Sequence, residues 1–381
     1  MKPIKCAIVG LGRIGSTLED DSLREKPASH AGAIAANPEC TLVAGCDIDK
    51  EKRTLFSRRW HCRNLFKNID EMLAVIVPHI LCIATPPETH KDLVLKATAA
   101  GVPLVVCEKP LTEDRAEAEE IIRTTDRSAT ILMVNHERRY SLDYRHCREI
   151  IQKQVYGDVL SLTCKLYMAQ GRNVEEMLWE DGTHMIDIIR FLTQKKDSKL
   201  QESETEVSDL QVTGNLFSPG GEAIIIFRLG TIYVIIDAAC NRDHLVFEID
   251  LSFSGGMIKI GNGVYEEYAS GTSQYYENFK SLIKKETDIF AKTNYFSNML
   301  ADAVRIVQAD NNEQNRNSMS NLESADLSIS TRGSVTTDRP VSTTIRVDTG
   351  KLVLNATPVS TGKDGYYAVK IISDIVEKAK K

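Results

Sequence analysis

The sequence predicts two domains: an α/β domain built on a doubly wound parallel sheet of the Rossmann type, then an α+β domain with a large open antiparallel sheet. The chain has 381 residues, enough for two domains of ordinary size. In residues 1–135 short apolar runs alternate with amphipathic helical stretches, whereas from about residue 143 strand-like runs follow one another across short turns. We therefore end the first domain at residue 135 and assign 136–381 to the second.

The strands of the first domain are predicted from uninterrupted apolar runs. Strands buried on both faces read in this way, because helices cover both sides of a parallel sheet. Helical patterns at Lys91–Ala100 and Glu113–Thr125 lie between such runs, so strand and helix alternate. The five runs are Cys6–Val9, Thr41–Cys46, Ile80–Ala84, Pro103–Cys107 and Ile131–Val134.

The second domain is predicted from a succession of strands. Helical stretches at Tyr144–Lys153 and Gly182–Thr193 flank a strand-like run at Val159–Tyr167. Further runs follow across short Gly or Asn-Arg-Asp turns, which is typical of an antiparallel sheet. These runs are Gln211–Leu216, Glu222–Leu229, Thr231–Ala239, Leu245–Phe253 and Met257–Ile260. Helices are predicted at Tyr295–Gln308 and Asp364–Lys380.

Residues 311–345 differ in composition from the rest of the chain. Ser, Thr and Asn make up 17 of these 35 residues, and no aromatic residue occurs between Phe296 and Tyr366. Such a segment buries little apolar area, so we expect it to be mobile, or at most a loosely held hairpin, and to carry no function.

Composition excludes several classes of partner. The net charge is −6 and the isoelectric point about 5.8, which argues against nucleic acid or an anionic membrane surface. Apolar runs stay well short of the roughly 18 residues of a membrane span. The nine cysteines are widely spaced, without a Cys-x-x-Cys pair, and several lie in apolar runs. They predict buried reduced thiols, no metal site and a cytoplasmic protein.

A glycine-rich motif predicts a dinucleotide site. Gly10-Leu11-Gly12-Arg13-Ile14-Gly15 follows the first strand and opens a predicted helix. Glycines in this pattern allow a tight turn, a close approach of backbone to pyrophosphate, and close packing of helix on strand. The helix N-terminus offers N–H donors to the phosphates. An ordinary glycine turn is the alternative.

Asp47 follows the second strand, where a carboxylate binds the adenosine ribose hydroxyls and repels a 2′-phosphate. It therefore favours NAD as the cofactor, with NADP left open, and a helix N-cap is its alternative role. The interval of 32 residues from Gly15 to Asp47 exceeds the usual spacing of about 20, so Ser16–Ser29 is interpreted as an insertion.

Four further motifs carry a family resemblance. They are Ile83-Ala84-Thr85-Pro86-Pro87-Glu88-Thr89-His90, Cys107-Glu108-Lys109-Pro110-Leu111, Asn135-His136-Glu137-Arg138-Arg139-Tyr140 and Asp181-Gly182-Thr183-His184-Met185-Ile186-Asp187. Together with the glycine motif they resemble the Gfo/Idh/MocA family of nicotinamide-dependent oxidoreductases, named for glucose–fructose oxidoreductase and inositol dehydrogenase. The match runs through about residues 1–310 and resumes near Ser360.

The resemblance implies hydride transfer between the nicotinamide and a secondary alcohol of a sugar, cyclitol or nucleotide-sugar. It also implies a homodimer or homotetramer formed through the open sheet. Carried over by position, Lys109 is the active-site lysine, Glu108 lies near the nicotinamide ribose, and His184 transfers the proton. The Lys109–Pro110 peptide is often cis in the family. The residues expected to line the cofactor are Ala84, Thr85, Pro86 and His90.

One position departs from the family pattern. The family commonly has Asp four residues before this histidine, whereas this chain has Glu180, with Asp181 adjacent. A side chain at that spacing shares a helical face with His184, so we prefer Glu180 as its carboxylate partner. Asp187, one turn further along, could fix the imidazole tautomer instead.

Candidate substrate residues are Arg138, Arg139, Tyr140 and Tyr167. Two adjacent arginines suit a phosphate or carboxylate, and a salt bridge at the domain junction is an equal alternative.

Two other functions stay open on the same fold. One is a glycoside-processing enzyme that reduces and reoxidises its bound NAD within one cycle, so that no NADH accumulates. The other is a catalytically silent regulator that senses nucleotides, which would not need Lys109 and His184 together.

Overall fold

The computed structural model describes residues 3–168, 171–194, 206–287, 293–309 and 357–381. The polar segment 311–345 lies outside the described residues. Within them the chain forms two sheets, one of six strands and one of eight, each covered by helices. The predicted combination of a Rossmann sheet with a second, larger sheet is confirmed.

The first sheet is parallel throughout, with the strand order β3-β2-β1-β4-β5-β6. The order reverses between β1 and β4, and ligands bind beside the carboxyl ends of the strands at such a point. All five predicted strands are present, and the two-residue β3 is additional. The strands are β1 (Ile4–Val9), β2 (Cys40–Cys46), β3 (Leu65–Phe66), β4 (Ile80–Ile83), β5 (Leu104–Cys107) and β6 (Ile131–Val134). The helices are α1 (His30–Ala36), α2 (Lys50–Trp60), α3 (Ile69–Val75), α4 (His90–Ala99) and α5 (Arg115–Thr125).

The second sheet has the order β14-β13-β12-β11-β7-β10-β9-β8. Neighbouring strands are antiparallel, as predicted, except that β7 and β10 are parallel. β7 comes first of these strands in the chain but lies inside the sheet, between β11 and β10. The strands are β7 (Val159–Tyr167), β8 (Val207–Gly214), β9 (Glu222–Leu229), β10 (Ile232–Ala239), β11 (Val246–Phe253), β12 (Gly256–Gly261), β13 (Val264–Thr272) and β14 (Lys280–Lys284).

Helices cover one face of the second sheet and leave the other open. Every second residue of β7 from Leu162 onward is buried against these helices in one apolar core, namely Leu162, Cys164 and Leu166. The helices in this part of the chain are α6 (Leu142–Gln152), α7 (Val174–Met177), a π-helical turn (Leu178–Gly182), α8 (Thr183–Thr193), α9 (295–309) and α10 (Gly362–Ala379).

Two late segments return to the first sheet. Phe296, Met299 and Leu300 of α9 are buried in the core that contains β1, and Val369 of α10 is buried in the core on its other face. Residues far along the sequence therefore complete the first domain's packing, and the division at residue 135 stays a prediction.

A buried ion pair joins the two sheets. Arg139 lies in the 3₁₀ turn after β6, is 2% exposed, and donates from Nε and Nη2 to the two carboxylate oxygens of Asp187 in α8, both at 2.8 Å. Its Nη2 also lies 3.0 Å from Asp364 of α10. Burial alone would lower the pKa of Arg139, but the two carboxylates raise it. The arginine therefore stays charged and fixes both helices to the first domain.

The thiols match the expectation of unpaired cysteines, since all nine are free and eight of them are buried. None of the described helices is both long enough and apolar enough to cross a bilayer. A cytoplasmic location stays a prediction.

Replacing Arg139 by Met should lower the free energy of unfolding by about 3–5 kcal/mol, because Asp187 and Asp364 would be left buried without their counter-charge. Urea denaturation measures this change. The control Arg145→Met removes an exposed arginine from α6 and should cost less than about 0.5 kcal/mol. Equal stability of the two variants would contradict the role given to Arg139.

Candidate active site

The glycine loop at the end of β1 is shaped by two of its glycines and leaves room at the third. Gly10 has φ +91°, and a Cβ added at Gly15 would lie 2.0 Å from the carbonyl oxygen of Gly10. Both positions require glycine for the turn itself. A Cβ added at Gly12 would meet nothing within 4 Å. The space beside Gly12 fits the close approach of a pyrophosphate, which is a physical reason for a glycine there.

The helix predicted directly after this loop is interrupted. A turn and a 3₁₀ helix (Thr17–Asp20) follow the motif, and α1 begins at His30. The backbone N–H groups of His30 and Ala31 donate to the carbonyl oxygens of Ile14 and Gly15, at 3.0 and 3.1 Å. The helical turn begun in the motif therefore continues in α1, and the intervening segment is looped out.

The looped-out segment is held at several points. Trp60 donates to Ser16 Oγ at 2.8 Å, and Arg59 pairs with Asp20. Glu25 accepts hydrogen bonds from both backbone and side chain of Thr293, each at 2.8 Å. These contacts place the segment between the end of α2 and the start of α9.

Asp47 lies directly after β2 and contacts the glycine loop. Its carboxylate accepts from the N–H of Leu11 at 2.8 Å and from the N–H of Asp49 at 2.9 Å. The helix N-cap role belongs to Asp49, which accepts from Glu51 N, so that alternative for Asp47 is wrong. Ribose binding by Asp47 stays a prediction.

The loop after β4 crosses the mouth of the glycine loop. The carbonyl oxygen of Ala84 lies 2.4 Å from the position of a Cβ on Gly10, and Thr85 follows it. Pro86 is exposed, whereas His90 is fully buried. The ring of His90 bridges two loops, with Nε2 at 2.8 Å from Thr85 O and Nδ1 at 2.9 Å from Pro110 O. His90 therefore supports the expected cofactor wall from behind rather than lining it.

Glu108 forms a buried ion pair that the sequence did not reveal. His30 Nε2 lies 2.7 Å from Glu108 Oε1, and Asn135 Nδ2 donates to the same oxygen at 2.8 Å. Burial alone would lower the pKa of His30, but the Cys82 thiol and the Glu108 carboxylate raise it to about 10. Burial opposes ionisation of Glu108, yet His30 and Asn135 hold the pKa of its carboxyl below the usual value. The sequence does contain one hint of this pair, because His30 is the single polar side chain in the otherwise apolar helix α1.

Lys109 and His184 are brought together from the two domains. The Lys109–Pro110 peptide is cis, as the resemblance implies, and Lys109 Nζ donates to the carbonyl oxygen of Glu180 at 2.7 Å. His184 is 9% exposed and is the second residue of α8, which directly follows the π-helical turn that contains Glu180. Burial, with the charges of Lys109 and Arg138, holds the pKa of His184 well below its usual value. The imidazole is therefore neutral at neutral pH.

Neither predicted carboxylate partner bonds to His184. The side chain of Glu180 pairs with Arg172, and Asp187 is taken by Arg139. The preference for Glu180 assumed a regular helix, in which residues four apart share a face. The π-helical turn at 178–182 changes that spacing and turns Glu180 away from His184.

Three of the four candidate substrate residues have other partners. Arg139 forms the junction salt bridge, which was the stated alternative. Tyr140 is fully buried, with its hydroxyl 3.3 Å from Asp302. Tyr167 donates to Asp237 at 2.5 Å on the open face of the second sheet, because it differs in parity from the β7 residues that face α8. Arg138 remains.

Buried polar atoms without a partner collect at this junction. Within the described residues Asn135 Oδ1, both ring nitrogens of His136 and Nδ1 of His184 accept or donate no hydrogen bond. The rings of His136 and His184 meet edge to face, with centroids 6.2 Å apart. Unsatisfied buried groups are rare in folded proteins, so this cluster fits a site that a ligand or water completes.

Replacing Gly12 by Ala should leave thermal stability unchanged and weaken NAD binding about tenfold or more, because the new methyl group occupies the space for the pyrophosphate. Gly15→Ala is the contrast and should destabilise the fold by about 1–3 kcal/mol through its clash with Gly10. Calorimetric titration with NAD and thermal melts measure both effects. Full NAD affinity in Gly12→Ala would be evidence against this site.

His30→Gln should destabilise the protein by about 3–5 kcal/mol near pH 6, where both members of the pair are charged in the folded state. The pKa of His30 is about 10 in the folded protein, against a usual value of 6.5. The ion pair therefore stabilises the fold fully below pH 6.5, and this stabilisation is lost progressively as the pH rises toward 10. The difference from wild type, measured by urea unfolding, should therefore shrink as pH rises. The control His244→Gln changes an exposed histidine and should show little difference at any pH. A constant difference for His30→Gln would mean that His30 is neutral.

Comparison with known proteins places the first domain. The model of the Gfo/Idh/MocA oxidoreductase family, NAD-binding Rossmann fold, matches residues 4–136. Inositol 2-dehydrogenase of an Arthrobacter species is 28% identical over 207 residues, which are 52% of this chain and 56% of that protein. 2,7-Anhydro-N-acetylneuraminate hydratase of Mediterraneibacter gnavus is 30% identical over 163 residues, 42% of this chain and 38% of that protein. The chain thus spans about half the length of these curated relatives.

The whole fold has solved counterparts. UDP-N-acetylglucosamine 3-dehydrogenase from Acidithiobacillus ferrooxidans superimposes with a TM-score of 0.69 at 16% identity, covering 99% of this chain and 98% of that one. At this identity the likeness concerns the fold alone. Residues 4–136 of the chain thus match the NAD-binding Rossmann domain of the Gfo/Idh/MocA oxidoreductase family.

Proposed function

We propose that the protein is an NAD-dependent dehydrogenase acting on a secondary alcohol of a sugar, cyclitol or nucleotide-sugar. The observation that carries the proposal is the meeting of Lys109 with the segment of His184 across the two domains, beside the carboxyl ends of β4 and β5. Relatives named inositol 2-dehydrogenase and a structural neighbour named UDP-N-acetylglucosamine 3-dehydrogenase support this substrate class.

The residues present fit NAD. The loop Gly10–Gly15 would hold the pyrophosphate, with space at Gly12, and Asp47 would bind the adenosine ribose and disfavour the 2′-phosphate of NADP. When bound, the nicotinamide supplies a hydride acceptor. Glu108, fixed by His30 and Asn135, is held rigidly next to Lys109.

The remaining chemistry is proton transfer, which belongs to the chain's own side chains. The lowered pKa of His184 keeps the imidazole neutral and ready to accept the hydroxyl proton. The Lys109 ammonium, anchored to the carbonyl oxygen of Glu180, would stabilise the negative charge that develops on the substrate oxygen. The two groups act on one hydroxyl from opposite sides of the cleft.

Lys109→Ala and His184→Ala should each slow the hydride-transfer step by roughly 10²–10⁴-fold, the usual scale for acid–base groups. NAD affinity should change much less, because the glycine loop and Asp47 hold the adenosine half. The double variant should be little worse than the worse single variant if the pair acts as a unit.

Single-turnover formation of NADH, over a panel of polyols and nucleotide-sugars, measures this effect. Lys153→Ala removes an exposed lysine and serves as the control. Normal turnover in either site variant would overturn the mechanism. Tight NAD binding without turnover of any substrate would favour the regulator.

A second candidate is a reaction in which bound NAD is reduced and reoxidised within each cycle. The relative named a hydratase, 30% identical over 163 residues, favours keeping it. Product formation without accumulation of NADH would distinguish it from the dehydrogenase.

We also propose a homodimer or homotetramer formed through the open face of the second sheet. That face carries Ile224 and Tyr233, which are 39% and 51% exposed, so part of it is apolar. Analytical ultracentrifugation measures the mass in solution, and a monomer would contradict this assembly.

A further inference from the structure

Two cations flank His184 without a carboxylate to balance them. Lys109 Nζ bonds to a main-chain carbonyl, and Arg138 Nη1 donates to the amide oxygen of Asn262 at 2.9 Å. Neither forms an ion pair in the part of the chain that the structure describes. Both lower the pKa of His184, so both lie within electrostatic reach of the imidazole.

Two acidic residues close to Lys109, Glu108 and Glu180, have cationic partners of their own. Glu108 is balanced by His30, whose raised pKa keeps it cationic. Glu180 pairs with Arg172. Neither carboxylate forms an ion pair with Lys109 within the described residues.

The acidic residues of the domain junction are paired as well. Asp187 and Asp364 share Arg139, and Arg190, one helical turn after Asp187 on α8, supplies the second positive charge. The junction is close to neutral and leaves Arg138 uncompensated.

Two carboxyl groups remain near Arg138, and both have raised pKa values. Burial raises the pKa of Glu137 despite nearby Arg138, Lys109 and Arg24. Burial also raises the pKa of Asp143, which accepts a hydrogen bond from its neighbour Tyr144. Both shifts favour the neutral acid. Arg138 thus lies near two carboxyl groups whose ionisation burial disfavours, and it forms an ion pair with neither within the described residues.

Arg138 is held in a fixed orientation. Its guanidinium lies 3.5 Å over the ring of Phe247, and Nη1 is fixed by Asn262, whose own N–H donates to Phe247 O. Its Nε is buried with no partner among the described residues. A half-buried guanidinium with a buried, unbonded Nε is costly, and an oxyanion with two acceptor atoms offsets that cost.

We propose that the substrate carries an oxyanion, a carboxylate or a phosphate, which Arg138 binds while the reacting hydroxyl lies between Lys109 and His184. This inference deepens the proposed dehydrogenase function and rests on it. The two adjacent arginines thus have different roles: Arg139 joins the domains and Arg138 selects the substrate.

The test uses the full chain saturated with NADH, so that binding is measured without turnover. Calorimetry compares D-gluconate with D-glucitol, D-glucose 6-phosphate with D-glucose, and inorganic phosphate alone. We expect at least one anionic probe to bind tenfold or more tightly than its neutral counterpart, the scale of one charge-assisted hydrogen bond. Preference for gluconate identifies a carboxylate, and preference for the phosphate ester identifies a phosphate.

Arg138→Gln should abolish the preference without changing NADH affinity, and Arg145→Gln, which removes an exposed arginine from the following helix, should preserve it. If Arg138→Gln does not fold, Arg138→Lys serves instead, since it keeps the charge and loses the planar fork. Equal binding of neutral and anionic probes, no binding of any probe, or a preference that survives in the Arg138 variant would each overturn the inference. Failure of NADH itself to bind would overturn the proposed function instead.

Discussion

The buried ion pair between Arg139 and Asp187 is the constraint on which the rest of the site depends. Asp187 lies three residues after His184 on α8, so fixing the carboxylate also fixes the imidazole. Arg139 is held in turn by the end of β6, which lies beside the strand that delivers Lys109. The distance between the two proposed catalytic side chains is therefore set by one arginine whose own position is determined by a parallel sheet. Asp364 extends this control to the C-terminal helix.

Much of the architecture could be predicted because it depends on local pattern. Uninterrupted apolar runs identified the strands of the first sheet, and their carboxyl ends brought the glycine loop and Lys109 to one edge. What could not be predicted depends on small geometric shifts. A π-helical turn rotates Glu180 away from His184. Tyr167 alternates with the buried residues of β7 and therefore lies on the open face of the sheet. Periodicity assumes regular helices and a known inward face, and neither assumption holds at these positions.

The sequence also could not predict which charged side chains pair with each other. Arg138 and Arg139 are neighbours with the same side chain, yet Arg139 pairs with two carboxylates whereas Arg138 pairs with none in the described residues and lies over an aromatic ring. His30 reads as one more residue of an apolar helix until its distance from Glu108 is known. Such choices follow from contacts between segments 48 to 78 positions apart in the chain, which no local pattern encodes.

The interruption of the first helix has a consequence for how this fold can change. Because His30 occupies the place that residue 18 would take in an unbroken helix, the segment leaves and rejoins the helix without altering its register. Its length can therefore vary while both the glycine loop before it and the buried histidine after it keep their positions. The entropic cost of a longer loop grows slowly with length. The length of this segment can therefore change during evolution without displacing the residues on either side of it.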